Sequence, residues 1–227
     1  MLKAILFDLD NTLVNFWAFK QESAREASTA MVNAGLPMSA DNAYKLIFNI
    51  YKEKGVEHQL VFTDMIKPFN FPKLQFEKIR DAGIVAYLRK KGQVLKPYDG
   101  IVPTLTSLKP LFKLAVLTDA PREQAHQRLA FTGLASYFDA VGTFHDTSVM
   151  KPGAEPFLSI CSKLSVTPAE CLMVGDNPSR DMKGARLVGM KTCLARYDPY
   201  FEAAGPEPDF SISKPQELLE VVKKLGL

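Results

Sequence analysis

The sequence predicts an α/β fold, a doubly wound parallel sheet interrupted by an inserted all-helical unit. Three observations carry the prediction. From Gly100 onward short apolar runs alternate with helical segments, the rhythm of parallel strands joined by right-handed crossovers. An isolated apolar run at residues 4–7 precedes that alternation and ends in two carboxylates, Asp8 and Asp10. Between the two, residues 15–95 show helical spacing and no strand pattern. A chain of 227 residues is long enough for a core domain, here 1–14 with 96–227, that carries such an insert.

In order, residues 16–33 are rich in Ala, Glu, Gln and Met and stop at Gly35 and Pro37, as a helix should. Ser39 to Asp41 can cap a second helix carrying Tyr44, Leu46, Ile47, Ile50 and Tyr51. Residues 58–72 read as a short helix and a bent aromatic loop between Pro68 and Pro72, and 76–89 resume helical spacing. Past Gly100 a helix ends near Lys109, and 112–117 form a second apolar run leading into Thr118. A helix then reaches Thr132 with Gly133 as its stop. Residues 138–144 read as a third strand, 155–164 as a helix, and 171–174 as a fourth strand entering Gly175-Asp176. Helix 179–188, strand 191–195, strand 210–212 and helix 215–225 complete the core.

Composition narrows the function. The net charge of +3 comes from intermingled charges with no basic block, so nothing supports nucleic-acid binding. Cys161, Cys171 and Cys193 lack Cys-x-x-Cys spacing and sit in apolar segments, which reads as buried thiols in a reducing compartment. No stretch has the length of a membrane span and no charged-then-apolar leader is visible, so the expected location is cytoplasmic.

The carboxyl ends of parallel strands are where such sheets bind ligands, and four polar elements fall at that edge. They are Asp8 with Asp10, Thr118, Asp176 with Asp181, and Lys151 ahead of the helix at 155–164. Each has an ordinary explanation alone: a polar loop, a helix cap, a solvated lysine, a turn. Together they suit phosphoryl transfer, where an anionic nucleophile reaches a polyanionic ester only if a divalent metal and fixed cations neutralise the charge. Hard carboxylate oxygens suit Mg²⁺. Lys151 would add positive charge, and Thr118 a hydroxyl donor for a non-bridging oxygen.

These residues resemble, in order, the four motifs of the haloacid dehalogenase-like (HAD) hydrolases, whose core is Rossmann-like: Asp8-Leu9-Asp10-Asn11-Thr12, Thr118, Lys151-Pro152, and Gly175-Asp176-Asn177-Pro178-Ser179-Arg180-Asp181. The resemblance implies that Asp8 attacks phosphorus and forms an aspartyl-phosphate, and that Asp10 protonates the leaving alcohol and then activates water. Acidic neighbours are expected to raise the pKa of Asp10 for that role. Mg²⁺ would be held by Asp8, the backbone carbonyl of Asp10, Asp176 and, directly or through water, Asp181. Thr118, Lys151, Asp119 and Asn177 are the phosphate-binding candidates.

Asp119 departs from the resemblance, since this position is more often Asn. An extra anion there needs to point away or be paired, for instance by Arg122, and a loop-ordering role near Pro121 is preferred. Thr12 is expected to fix the loop after the first strand. Arg180 could pair with a nearby carboxylate or lie on the surface. The insert at 15–95 resembles the helical cap called C1, with Trp17, Phe19, Lys20 and the 69–71 loop either contacting substrate or forming cap core. His58, His126 and His145 have no metal-like spacing. The reading is therefore a Mg²⁺-dependent phosphatase of a small phosphorylated metabolite, such as a sugar phosphate or phosphoglycolate, as a monomer or homodimer. A dehalogenase, a phosphomutase and a non-catalytic binding protein are the alternatives.

Overall fold

The computed structural model describes residues 1–197 and 204–226. The chain runs through β1 (Ala4–Phe7), α1 (Phe16–Asn33), α2 (Ala40–Lys54), α3 (Val61–Ile66), α4 (Lys73–Val94), α5 (Ile101–Leu108), β2 (Lys113–Leu117), α6 (Arg122–Phe131), β3 (Ala140–Gly142), α7 (Phe144–Thr147), α8 (Ala154–Leu164), β4 (Cys171–Gly175), α9 (Lys183–Leu187), β5 (Lys191–Ala195), β6 (Phe210–Ile212) and α10 (Leu218–Lys224). It divides into two compact units, Met1–Asn15 with Lys96–Leu227, and Phe16–Leu95.

The first unit is an α/β sandwich around one six-stranded sheet of order β3-β2-β1-β4-β5-β6. Every pairing is parallel. Such a sheet is covered on both faces, so its inner strands need continuous apolar runs rather than alternation. β1 and β4 are accordingly buried at every position, and β2 at all but its first. The strand order reverses direction between β1 and β4, which makes the carboxyl ends of those strands the crevice where ligands bind in this architecture. Register tightens that placement: Phe7 lies opposite both Val116 and Val174, so Asp8, Thr118 and Asp176 leave adjacent strands at nearly one level. Behind them, Leu6, Leu117, Phe157, Ile160, Met173 and Met182 form a shared core.

Where the first unit is interrupted, its two ends are stitched together. Asn15 N–H donates to the Lys96 carbonyl at 3.2 Å, Lys96 N–H donates to Asn15 Oδ1 at 2.9 Å, and Tyr98 N–H donates to the Leu13 carbonyl at 3.1 Å.

The second unit is all helical. Its core joins Ala24, Ala27 and Met31 of α1 to Ile47 and Tyr51 of α2, Phe62 and Met65 of α3, and Ile79 of α4. Small residues let α1 and α4 pack closely: a Cβ at Gly83 would lie 2.6 Å from Met31 Sδ, which explains a glycine in mid-helix. Ser39 caps α2 by accepting from Asn42 N–H at 3.2 Å. Phe19 and Lys20 are buried. Lys20 Nζ donates to the Val56 carbonyl at 2.8 Å and lies 4.6 Å from the Tyr51 ring centroid. Trp17 stacks on Phe48, and Phe69 on Phe71.

Two elements differ from expectation. The third strand covers only Ala140–Gly142, because Thr143 and Asp146 form a capping box that turns the chain into α7: the Thr143 N–H and hydroxyl both donate to Asp146 Oδ2 at 2.7 Å. The helix expected at 179–188 begins instead as a wide π turn, Pro178–Met182, and becomes α-helical only at Lys183. Such turns often sit at functional sites.

Candidate active site

Asp8, Asp176 and Asp181 converge beyond β1 and β4. All three are buried, and one carboxylate oxygen from each lies within 4.8 Å of the others. Lys151 arrives from the loop before α8 and binds two of them, with Nζ 2.5 Å from Asp8 Oδ1 and 2.6 Å from Asp181 Oδ1. It also donates to the Leu117 carbonyl at 3.1 Å. The lysine is buried, and desolvation alone would lower its pKa. The surrounding carboxylates, Asp181 first and then Asp8 and Asp119, outweigh this and raise it, so the ammonium is held charged.

Two of the acids are shifted upward as well, which for a carboxyl favours the neutral form. Burial, with Asp8 and Asp181 adding like charge, pushes Asp176 from 3.8 up to about 8. Burial also raises Asp181, to about 6, with Lys151 opposing it. The two acids are not equally occupied. Asp181 Oδ1 meets Lys151 while Oδ2 accepts Asn177 N–H at 3.1 Å. Asp176 Oδ1 is buried with no hydrogen-bond partner among the described residues. An orphaned, desolvated oxygen beside two further carboxylates is a donor set for a hard divalent cation, and the residues present fit one. Gly175 makes room for this packing: a Cβ there would fall 2.5 Å from Asp181 Cγ.

Asp10 is not one of that triad. Its Oδ2 takes a 2.6 Å hydrogen bond from Arg128 Nη1. Alongside the acidic neighbours expected for Asp10, the structure thus sets a guanidinium against its carboxylate. Arg128 was not singled out in the sequence, although it occupies the buried stripe of α6 with Ala125 and Leu129, where a charge is a signal in itself.

Thr118 is buried and its Oγ1 accepts Ala120 N–H at 3.1 Å, which leaves its proton for another acceptor. Asp119 is not paired by Arg122, which binds Asp146 at 3.1 Å instead. Asp119 Oδ2 lies 3.2 Å from Arg180 Nη1, and Oδ1 accepts Lys151 N–H at 2.9 Å. Asn177 uses its side-chain oxygen to cap the π turn, accepting from Ser179 N–H at 3.1 Å and Arg180 N–H at 3.2 Å. Thr12 Oγ1 is buried and has no hydrogen-bond partner among the described residues. The Thr12 carbonyl is held by a second unforeseen residue, Tyr197, whose hydroxyl donates at 2.5 Å. The histidines have partners or positions of their own: within the helical unit His58 pairs with Asp64 at 2.8 Å, while His145 accepts Arg122 N–H and His126 is exposed.

Known proteins are similar to this chain in both sequence and fold. A family model described as haloacid dehalogenase-like hydrolase matches residues 5–195. A glyceraldehyde 3-phosphate phosphatase of Methanopyrus kandleri is 33% identical, the match covering 100% of this chain and 99% of the relative. A protein of the same name from Methanocaldococcus jannaschii is 34% identical over 99% of each chain. Among solved structures, a HAD phosphatase from Thermococcus onnurineus superposes with a TM-score of 0.72 at 27% identity, covering 97% of this chain and 98% of that one.

Proposed function

The chain belongs to the haloacid dehalogenase-like hydrolases, and from that premise we propose that it is a Mg²⁺-dependent phosphatase of small phosphorylated metabolites, with Asp8 as nucleophile. The observation that carries the reading is the convergence of Asp8, Asp176 and Asp181 on Lys151 at the ends of adjacent strands.

Charge explains why this set suits phosphate. Asp8, Asp176, Asp181 and Asp119 bring four carboxylates, and Lys151 with Arg180 brings two cations, so two negative charges are left when all are ionised. A bound Mg²⁺ would neutralise that excess and polarise the phosphoryl oxygens. Asp8 and Asp176 would hold the ion together with the Asp10 carbonyl. Asp181, engaged on both oxygens, fits a water-mediated contact and the orienting of Lys151.

In the first displacement an Asp8 oxygen forms a bond to phosphorus as the bond to the leaving oxygen breaks, and Asp10 supplies the proton that the alkoxide takes up. In the second, Asp10 removes a proton from water, which attacks phosphorus and releases Asp8 with inorganic phosphate. Arg128, donating to Asp10 Oδ2 at 2.6 Å, would orient that carboxylate for this second half. Lys151 and Thr118 neutralise and orient the phosphoryl oxygens throughout. Dehalogenation at an uncharged carbon needs neither the acidic triad nor its counter-cations, which favours the phosphatase reading. The helical unit is assigned the part of a C1-type cap that selects the leaving group. The reading also includes a cytoplasmic enzyme, monomeric or homodimeric, and three free buried cysteines suit that compartment.

The test is phosphate release from a panel of esters, including glyceraldehyde 3-phosphate, phosphoglycolate and hexose phosphates, with pyrophosphate as an anhydride. Turnover of one or more of them that is abolished by chelator is expected. Halide release from 2-haloacids in chelator, with no phosphate release, would overturn the reading.

A further inference from the structure

We infer that the Asp119–Arg180 ion pair sets how tightly this site holds a phosphoryl dianion, while the other oxygen of Asp119 sets the aim of Lys151. The inference deepens the phosphatase reading and rests on it.

Asp119 follows Thr118 directly at the end of β2, and its two oxygens do different things. Oδ2 lies 3.2 Å from Arg180 Nη1, in the turn that also carries Asp181. Oδ1 accepts the Lys151 N–H at 2.9 Å, fixing the backbone from which the buried ammonium reaches Asp8 and Asp181. One carboxylate therefore ties together the loop after β2, the loop before α8 and the turn after β4. These are the loops that carry Thr118, Lys151 and Asp181.

The two charges need each other. An unpaired Asp119 beside Thr118 would repel an incoming dianion. An unpaired Arg180 would leave a guanidinium among Asp8, Asp176 and Asp181, the acids whose charge it already feels. With the pair closed, Arg180 cancels Asp119, and Lys151 faces the nucleophile without a fourth competing acid. As the Arg180 side chain is 46% exposed, the pair contributes little to stability, and its effect belongs on ligand binding. An amide at position 119 would keep an oxygen for the Lys151 N–H and remove the charge. Alanine would remove both.

The experiment is steady-state kinetics with Mg²⁺ on the best ester of the panel, using wild type, Arg180→Gln, Asp119→Asn, the double variant and Asp119→Ala. Arg180→Gln is expected to raise KM about fivefold to tenfold, the range of coupled neighbours. Adding Asp119→Asn to it should bring KM back to within about twofold of wild type. Asp119→Ala should lower kcat, and asparagine at the same position should restore it. An unchanged KM in Arg180→Gln overturns the inference, as does a KM defect that survives in the double variant or a kcat in Asp119→Asn as low as in Asp119→Ala. If wild type hydrolyses no ester, the phosphatase reading fails by itself. The same proteins are then titrated calorimetrically with inorganic phosphate and Mg²⁺, where the pattern is expected in Kd, and no binding or no coupling overturns the inference.

Discussion

Arg128 Nη1 stands 2.6 Å from Asp10 Oδ2, on a side chain only 2% exposed, and so carries a charge from the core of α6 to the rim of the site. A buried cation is tolerated where it is paired, and removing one partner takes that ion pair from the other. Asp10 is 21% exposed, so water would relieve part of its loss. Arg128→Met is therefore expected to destabilise the protein by about 1–3 kcal/mol in urea unfolding. The Asp10→Asn/Arg128→Met pair should lose less than the sum of the single changes. Simple additivity would show that the two groups do not support one another.

Asp8→Asn tests the nucleophile. The amide keeps the shape of the side chain and a carbonyl oxygen for Lys151, but it cannot attack phosphorus. Turnover should fall by at least about 10³-fold while the circular dichroism spectrum stays that of the wild type. Activity within tenfold of wild type would remove Asp8 from the covalent role.

The sheet was legible because its strands are buried on both faces and so read as short, uninterrupted apolar runs. The site candidates were visible for the same reason, since polar residues that end such runs stand out. Strand order was not legible: nothing in β2 or β4 says that both flank β1. Partners were harder still. Arg122 is nearer than Arg180 to Asp119 in sequence, yet the crossover after β4 brings Arg180 to it and α7 brings Asp146 to Arg122. Arg128 and Tyr197 lie in segments with no motif, and only the fold sets them against Asp10 and Thr12. The capping box at Thr143 was readable, but the apolar run around it read more strongly as strand.

The raised acids predict an unusual pH dependence. Asp176 moves from 3.8 to about 8 and Asp181 to about 6, so the folded protein binds these protons more tightly than the unfolded chain does. Their contribution to stability is full below about pH 4 and is lost as pH rises through 6 and then 8. The strongly lowered acids, Asp64, Asp146 and Glu170, lose theirs only as pH falls below about 4.5 and do not mask this window. In chelator the melting temperature should therefore decline between pH 5 and pH 8. Mg²⁺ should oppose the decline, raising the melting temperature more at pH 8 than at pH 5, because protons compete for the same oxygens. Scanning calorimetry in both conditions decides it. A metal-free curve that rises toward pH 8 would contradict the burial and charge assigned to the triad.

Gly175 is the sharpest steric test, because its role is space rather than charge. An added Cβ would lie 2.5 Å from both Asp181 Cγ and Asp181 Oδ2, far inside contact distance, and Asp181 is too buried to swing into solvent. Gly175→Ala must therefore displace the Asp181 carboxylate, and with it the partner that holds Lys151 Nζ at 2.6 Å. Overpacking of this kind costs about 1–3 kcal/mol of stability. The functional loss should be larger, with a weaker apparent affinity for Mg²⁺ and a kcat reduced by about 10²-fold, the usual consequence of misplacing catalytic groups by an ångström. Mg²⁺ titration of activity and of melting temperature separates the two effects. A Gly175→Ala protein that melts lower yet keeps wild-type Mg²⁺ dependence would mean that Asp181 has no part in either the ion or the lysine.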